Sequence, residues 1–485
     1  MSESQASVPL VKHWIGGEYQ SSSVSEHFVS FDPETDQQLC KVCCGTVAEV
    51  DAAVQAAATA QERSSGLGPS QREAILLRAA DLLLRDQDQF IDLLIREIGS
   101  PISKAKMEIG IAARVLRANA SMARRMTGRT YQSDIAGRMS LAIREPLGVV
   151  AGITPFNVPL IKAIKHSSLP LATGNGFVLL PSPQSPMVAD RVAKLYADAG
   201  LPPGLMNVVF GIGGQIGPAL VRHPLVQAVS FTGSAKVGQQ VQADCGQFRK
   251  RVTLELGGKN PILILSDADL QKAIPAAVRG GFIYQGQICM ASSRVIIERG
   301  LMDAFVEKFV AAVQKLPQGD LHDPATVIGP VISKAARQRI DDHIADAYRN
   351  GASVLCGNQW TGNRLNPTVL SGVKETMRLY REETFGPVVT IEAADDEGHA
   401  LQLAHAGSAM LSAAIFTQNI DRAFWLARSL RCGMVHVNDM TIQQEPDVPF
   451  GGDGDAGFGR EGMETGIEDY TKWKWITVNG PSPSI

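Results

Sequence analysis

From about residue 147 onward the chain repeats one pattern: a short apolar run, a helical stretch, then another apolar run. Gly148 to Ile153, Phe177 to Leu180, Met206 to Phe210, Val226 to Phe231 and Val252 to Leu256 are apolar without the polar alternation of a half-exposed strand. Runs of this kind predict strands covered on both faces. The stretches 187–199, 215–222 and 235–244 between them predict helices. Strands alternating with helices at this spacing predict βαβ units and a parallel sheet with helices on either side. A second alternating block runs from about 261 to 437. The expected class is therefore α/β, with two parallel sheets.

Residues 46 to 125 read as helices ahead of that block. Thr46-x-x-Glu49 and Ser70-x-x-Glu73 are capping-box patterns, each opening an Ala/Leu-rich amphipathic stretch. Two segments break the α/β rhythm: 128–146, and Tyr470 to Val478, have strand composition with no helix between. Read alone, they fit an exposed hairpin and a tail strand, whose unpaired apolar edge would invite association.

At 485 residues the chain is long enough for two or three domains with cores of their own. A net charge of −3 leaves no basic face for nucleic acid, and no apolar run approaches the roughly 18 residues of a membrane span. Met1 to Pro9 is polar and lacks the apolar core of a signal peptide. Seven cysteines in so large a chain show no disulfide spacing, which points to a reducing, cytoplasmic home. Cys40-x-x-Cys43 with Cys44 resembles half a zinc site, but no second Cys or His pair stands nearby, and no metal is expected.

The chemistry centres on Cys289, in Gln285-Gly286-Gln287-Ile288-Cys289-Met290, and on Glu255, in Glu255-Leu256-Gly257-Gly258-Lys259-Asn260. A thiol that attacks covalently needs a base for the later hydrolysis, and a carboxylate on a glycine-rich turn can serve. A free thiol, with a pKa of roughly 8.5, is only slightly ionised at neutral pH, so its surroundings must help it. For an arbitrary pair, a buried structural cysteine and a surface glutamate is the commoner arrangement. Four further motifs stand in order around these two. They are Thr154-Pro155-Phe156-Asn157, Phe231-Thr232-Gly233-Ser234, Glu382-Glu383-Thr384-Phe385-Gly386-Pro387 and Pro449-Phe450-Gly451-Gly452.

The ordered set resembles the aldehyde dehydrogenase superfamily from about residue 10 to the C-terminus. The resemblance implies two Rossmann-like domains. Residues 1–127 with 147–257 would bind the dinucleotide, 258–445 would form the catalytic domain, and 128–146 with 468–485 would build an oligomerisation arm of a homodimer or homotetramer, dimer preferred. It implies that Cys289 attacks the aldehyde carbon, that Asn157 with the Cys289 N–H stabilises the oxyanion, and that Glu255 activates the hydrolytic water. Glu383 would hold the nicotinamide ribose with Phe385 beside it. Further cofactor contacts are implied at Thr154, Phe156, Ser182, Phe231, Gly233, Ser234, Leu256 and Gly257. By sequence alone Ser234 opens a helix whose N-terminus suits a pyrophosphate, although no G-x-G-x-x-G stands in this region. Taken in isolation, Asn157 reads sooner as a cap of a helix beginning near Pro159, Glu383 as one of a solvated pair and Phe156 as core. Lys162, Lys165 and His166, on the same helix, fit packing or solvated roles, with assistance to proton movement as the sharper reading.

Two departures bear on the cofactor. Where the family usually carries Lys and Glu for the adenosine ribose, this chain has Leu180 and Pro183 in Leu180-Pro181-Ser182-Pro183. Loss of the Glu removes a repulsion against a 2′-phosphate, and loss of the Lys removes an attraction. With no cation in the run, the balance falls to NAD, with NADP as the alternative. After Phe450-Gly451-Gly452, Asp453-Gly454-Asp455 replaces the usual lysine and small residues. The runs around Tyr380 and Cys289, and Asp469 to Val478, are most similar to the benzaldehyde, vanillin and salicylaldehyde dehydrogenase branch, so an aromatic aldehyde is the expected substrate. Two alternatives stand beside hydrolytic oxidation. A CoA-acylating enzyme would not need Glu255. A non-catalytic family member, acting as a binding or structural subunit, draws on Leu180, Pro183 and Gly454 and is opposed by the intact Asn157, Glu255, Cys289 and Glu383.

Overall fold

The computed structural model describes residues 8–407 and 409–480. Residues 1–7 of the polar N-terminal segment and 481–485 of the expected 468–485 arm therefore lie outside the described residues. The α/β class holds, and two large sheets carry it. The first has eight strands, with the five expected runs as its parallel centre. These are Val149–Ile153, Gly176–Leu180, Met206–Val208, Val226–Thr232 and Arg251–Glu255. Val149–Ile153 lies mid-sheet. The chain builds outward from it to Gly176–Leu180 and Met206–Val208 on one side, then returns to place Val226–Thr232 and Arg251–Glu255 on the other. That reversal between Val149–Ile153 and Val226–Thr232 is a topological switch point, where open α/β sheets form a crevice beyond their strand ends.

The helices α1 (Val47–Arg63), α2 (Pro69–Arg85), α3 (Gln87–Ile98), α4 (Ile102–Met122), α5 (Pro159–Ala172), α6 (Pro186–Asp198), α7 (Gly213–Arg222) and α8 (Ala235–Gln247) pack around this sheet. The Thr46 capping box forms, with Glu49 accepting from the Thr46 N–H at 2.7 Å. The expected Ser70 box does not. Pro69, whose fixed φ suits a first helical turn, starts α2 two residues earlier than a Ser70 cap would. Gly68 is the N-cap there, with Gln71 accepting from its N–H at 2.9 Å. Glu73 instead pairs with Arg124.

The second sheet has seven strands in the order Ser353–Cys356, Thr368–Ser371, Val388–Ala394, Ser292–Glu298, Asn260–Ile264, Met410–Phe416, Cys432–Val437, parallel except for the first. Its core includes Ile262, Val295, Phe305, Phe309, Val389 and Phe416, all fully buried. The two sheets are joined by Glu255 to Asn260, which leaves one at Arg251–Glu255 and enters the other at Asn260–Ile264. Gly258 permits this passage, because a Cβ there would collide with the Ala409 carbonyl.

The two rhythm-breaking segments do pair. Arg129–Tyr131, Arg138–Pro146 and Thr471–Asn479 form a separate antiparallel sheet, with Trp475 opposite Ala142. Tyr470, expected to start the tail strand, instead ends the helix Met463–Tyr470, where its ring is buried. Tyr131, Met139, Trp475 and Val478 leave much of their apolar surface exposed on this sheet.

Candidate active site

The two strands at the switch point end in the loops that the first motifs occupy. Thr154 to Asn157 follow Val149–Ile153, and Gly233 and Ser234 follow Val226–Thr232. Ser234 caps α8, its hydroxyl accepting from the Val237 N–H at 3.5 Å, so the free N–H groups and positive dipole end of that helix face the strand ends. Leu256 packs on the first turn of the same helix, where a Cβ on Gly238 would meet it. The Glu383 carboxylate lies directly on Gly257, and any side chain there would displace it. Phe385, held at φ +52°, brings its ring to 5.9 Å from Phe156, edge to face. Glu383 thus meets Gly257, Phe385 meets Phe156, and Phe231 would meet a Cβ on Gly233.

The tandem glutamates divide. Glu382 turns outward to a bidentate pair with Arg378 and to the buried His343 at 3.1 Å, which also bonds Thr384 at 3.2 Å. Glu383 turns inward. Burial pushes its carboxyl up to about 7, with Lys259 opposing. The run expected to meet an adenosine is plainer. Leu180 is buried in the core, and the Ser182 hydroxyl is within 3.3 Å of the Gln184 N–H that it accepts from. The N-terminus of α8 could take a phosphate, and the Leu180–Pro183 run brings no charge.

Cys289 follows a tight turn in which Tyr284 and Gln285 both take left-handed backbone, at φ 49° and 43°. Such residues cost about 1–3 kcal/mol each and persist only where their surroundings hold them. Here the Tyr284 hydroxyl donates to the Ile98 carbonyl at 2.9 Å, and Gln285 accepts from Gly329 at 3.1 Å and donates to Pro330. Gly286 takes φ +69° with the Gly386 carbonyl against its Cα, so the Cys289 turn and the Glu383 turn touch backbone to backbone. Asn260 fixes the end of the turn. Its amide donates to the Cys289 carbonyl at 2.8 Å and the Ala291 carbonyl at 3.1 Å, while its oxygen accepts from Leu411 and Ser412. Asn260 lies within a motif already singled out, but nothing in its spacing revealed this duty.

Asn157 is buried and does not cap α5, whose N-cap is Val158. Its side-chain amide donates to the Gln287 carbonyl at 2.9 Å, two residues before Cys289, leaving its second hydrogen for another acceptor. Glu255 is buried with neither carboxylate oxygen hydrogen-bonded among the described residues. It lies against Gly451, where a Cβ would fall 2.6 Å from Oε1. Burial, reinforced by the negative charge of Glu461, pushes its carboxyl up to about 8. Burial also pushes the Cys289 thiol up to about 12, with Lys162 the leading charge acting the other way.

Glu461 was not foreseen. Lys162 bonds both its oxygens, at 3.0 and 2.9 Å; Lys165 reaches it at 2.8 Å and His166 at 3.1 Å. None of the three bases is solvated: Lys162, Lys165 and His166 are buried around this one carboxylate, and His166 also bonds Thr232 at 3.0 Å. Burial works against the charge on Glu461, yet the three bases hold its carboxyl well below the usual range. The Phe450 ring lies under both lysines, 5.4 and 4.0 Å from their nitrogens, and Phe450 exchanges backbone hydrogen bonds with Glu461. Bases at positions i, i+3 and i+4 on an otherwise apolar helix call for a buried anion, which was the one available signal. Asp453, in the unusual run after Gly452, pairs with Arg460 at 2.6 Å, and Gly454 supplies the left-handed turn beside it.

Residues 19–476 match the aldehyde dehydrogenase family. The chain is 38% identical over 481 residues to a vanillin dehydrogenase of Corynebacterium glutamicum, covering 99% of each. Among solved structures it superposes on a salicylaldehyde dehydrogenase from Pseudomonas putida G7 complexed with salicylaldehyde, with a TM-score of 0.93 at 33% identity over 98% of this chain and 99% of that one. It also superposes on a betaine aldehyde dehydrogenase from Staphylococcus aureus in complex with NAD+, with a TM-score of 0.93 at 31% identity over 98% and 96% of the two chains. The expected branch resemblance is therefore met.

Proposed function

The chain belongs to the aldehyde dehydrogenase family, and on that premise we propose that it oxidises an aldehyde, aromatic by preference, to the carboxylic acid. One observation carries the reading: where the two sheets join, the Asn157 amide, the Cys289 turn and an unpartnered, buried Glu255 carboxylate converge. Cys289 gives up its S–H proton to solvent and bonds to the aldehyde carbon, and the carbonyl π pair becomes an oxyanion held by the free Asn157 hydrogen and the Cys289 N–H. Donors preset for such a charge are each commonly worth about 2.7–4 kcal/mol. A nicotinamide dinucleotide bound along Ser234, Gly257 and Glu383 supplies the acceptor for the hydride, and the adduct on Cys289 becomes a thioester. Glu255 then takes a proton from water as that water attacks, the C–S bond breaks, and the thiolate recovers its proton. With a carboxyl near 8, Glu255 gives up its proton within the working range of a base.

We propose NAD as the preferred cofactor, since the Leu180–Pro183 run has no cation for a 2′-phosphate. Residues 1–127 with 147–257 then serve as the cofactor domain, 258–445 as the catalytic domain, and 128–146 with 468–485 as an arm that pairs with a second copy. The exposed Trp475, Met139 and Val478 support the last assignment. A reducing, cytoplasmic home is supported by seven unpaired cysteines. Light scattering is expected to give twice the protomer mass, and a monomer would remove the arm from this picture.

The functional test is the initial rate of reduced-nicotinamide formation with benzaldehyde, run on NAD and NADP without CoA. Turnover is expected with both, faster at low concentration with NAD. No turnover without CoA, and turnover with it, would replace the hydrolytic reading by the acylating one. No turnover in either case, across aromatic and aliphatic aldehydes, would leave a binding or structural subunit.

A further inference from the structure

We propose that the buried ion pair Lys104–Glu108 on α4 is a positioning device for the oxyanion amide of Asn157 and ties that amide to the nucleophile turn. The proposal rests on the reading of Asn157 as an oxyanion donor. Both side chains of the pair are essentially inaccessible, at 1% and 0% exposure. Two charges withdrawn from water are costly, and attraction between them offsets the loss only when every remaining donor and lone pair is also met.

Here the ammonium and both carboxylate oxygens find partners, and in the site. Lys104 Nζ bonds Glu108, donates to the backbone carbonyl of Asn157 at 2.7 Å and lies 4.3 Å from the centroid of the Tyr284 ring. Glu108 Oε1 accepts from the Leu160 N–H at 2.9 Å and the Ile161 N–H at 3.2 Å. Those are first-turn groups of α5, a helix with no side-chain hydrogen bond from its own N-cap. Glu108 therefore caps α5 from a neighbouring helix, where a negative charge is also favoured by the dipole.

The pair thus grips the chain at Asn157 itself and again three and four residues later. The Lys104 bond and the α5 cap fix the backbone from which the Asn157 side chain projects, and the Gln287 carbonyl holds the amide itself. Tyr284, the left-handed residue that opens the Cys289 turn, is held by the same cation from above and by the Ile98 carbonyl at its hydroxyl. One buried ammonium so registers the oxyanion donor against the nucleophile. Displacing a catalytic group by about 1 Å costs on the order of 100-fold in rate.

The test is a paired substitution, Lys104→Met with Glu108→Gln, which removes both charges together and leaves neither stranded. Two activities are read: benzaldehyde oxidation, and cofactor-free hydrolysis of p-nitrophenyl acetate, which also passes through an oxyanion on Cys289 but needs no nicotinamide. Both kcat values are expected to fall about 10- to 100-fold, with the KM for NAD within about twofold of wild type. In an Asn157→Ala background the same pair is expected to cost less than about threefold, because the group through which it acts is gone. Wild-type rates, an equal loss in both backgrounds, or a parallel rise in the KM for NAD would each overturn the proposal. If the pair fails to fold, Lys104→Arg, which keeps the charge but redirects its donors, is read by the same criteria. A wild type that hydrolyses the ester but oxidises no aldehyde would sink the functional reading and leave the ester arm to decide this one.

Discussion

Cys289→Ala is expected to abolish aldehyde oxidation, by a factor on the order of 10⁴ or more, while the protein stays folded and binds cofactor. The size follows from the position of the thiol: it is the one nucleophilic atom in the turn that faces the Asn157 amide. The fold should tolerate the change because the turn is held by groups other than the sulfur. Asn260 binds the Cys289 carbonyl, Asn157 binds the Gln287 carbonyl, and Gln285 is bonded at both ends of its amide. The residue as a whole is half-buried and the change removes a single heavy atom, so it should cost about 1 kcal/mol of stability. The wild-type thiol carries a second expectation. Burial pushes it up to about 12, so the thiolate is a small fraction at neutral pH and grows as pH rises. Alkylation by iodoacetamide in the absence of cofactor should therefore accelerate about tenfold per pH unit between 7 and 9. An alanine variant retaining a tenth of wild-type turnover would end the covalent reading, and a plateau in alkylation below pH 8 would show a thiolate far better stabilised than its surroundings suggest.

Glu255→Gln is expected to slow steady-state turnover by about 10²–10⁴-fold and to expose a burst of one reduced nicotinamide per site. The amide matches the carboxyl in shape but cannot take a proton from water, so the thioester should form and then accumulate. The pH profile should move with it. The carboxyl of Glu255 sits near 8, raised by burial and by Glu461, and it acts as a base only when ionised. Wild-type kcat should therefore rise through about pH 8, falling about tenfold per unit below it, and the Gln variant should lose that limb. Stopped-flow absorbance separates the outcomes. Wild-type turnover would remove Glu255 from the chemistry. Loss of the burst together with turnover would move its role forward, to accepting the proton of Cys289 before attack.

Much of this protein is encoded locally. Apolar runs of four to six residues are too short for a buried helix and pair as strands in a core, so the five parallel strands at the centre of the first sheet were legible where they stand, within one or two residues. Gly257 and Gly258 marked a turn after Glu255, and Ser234 marked a helix start; both are dictated by local sterics and hydrogen bonding. The identities of Cys289, Glu255, Asn157 and Glu383 were likewise in the motifs. What they meet was not. Glu461 joins Lys162 from 299 residues away, and Lys104 reaches the Asn157 carbonyl across 53. Charges are written in the sequence with the same letters whether they end in water or in a core, and only packing chooses between the two. The same holds for Asn260, whose four hydrogen bonds exist only once the second sheet is closed. The sequence by itself determined the strands, the turns and the reactive groups, because these depend on neighbours along the chain; the tertiary structure alone decided which carboxylates are buried, and so which can serve as bases, because desolvation depends on neighbours in space.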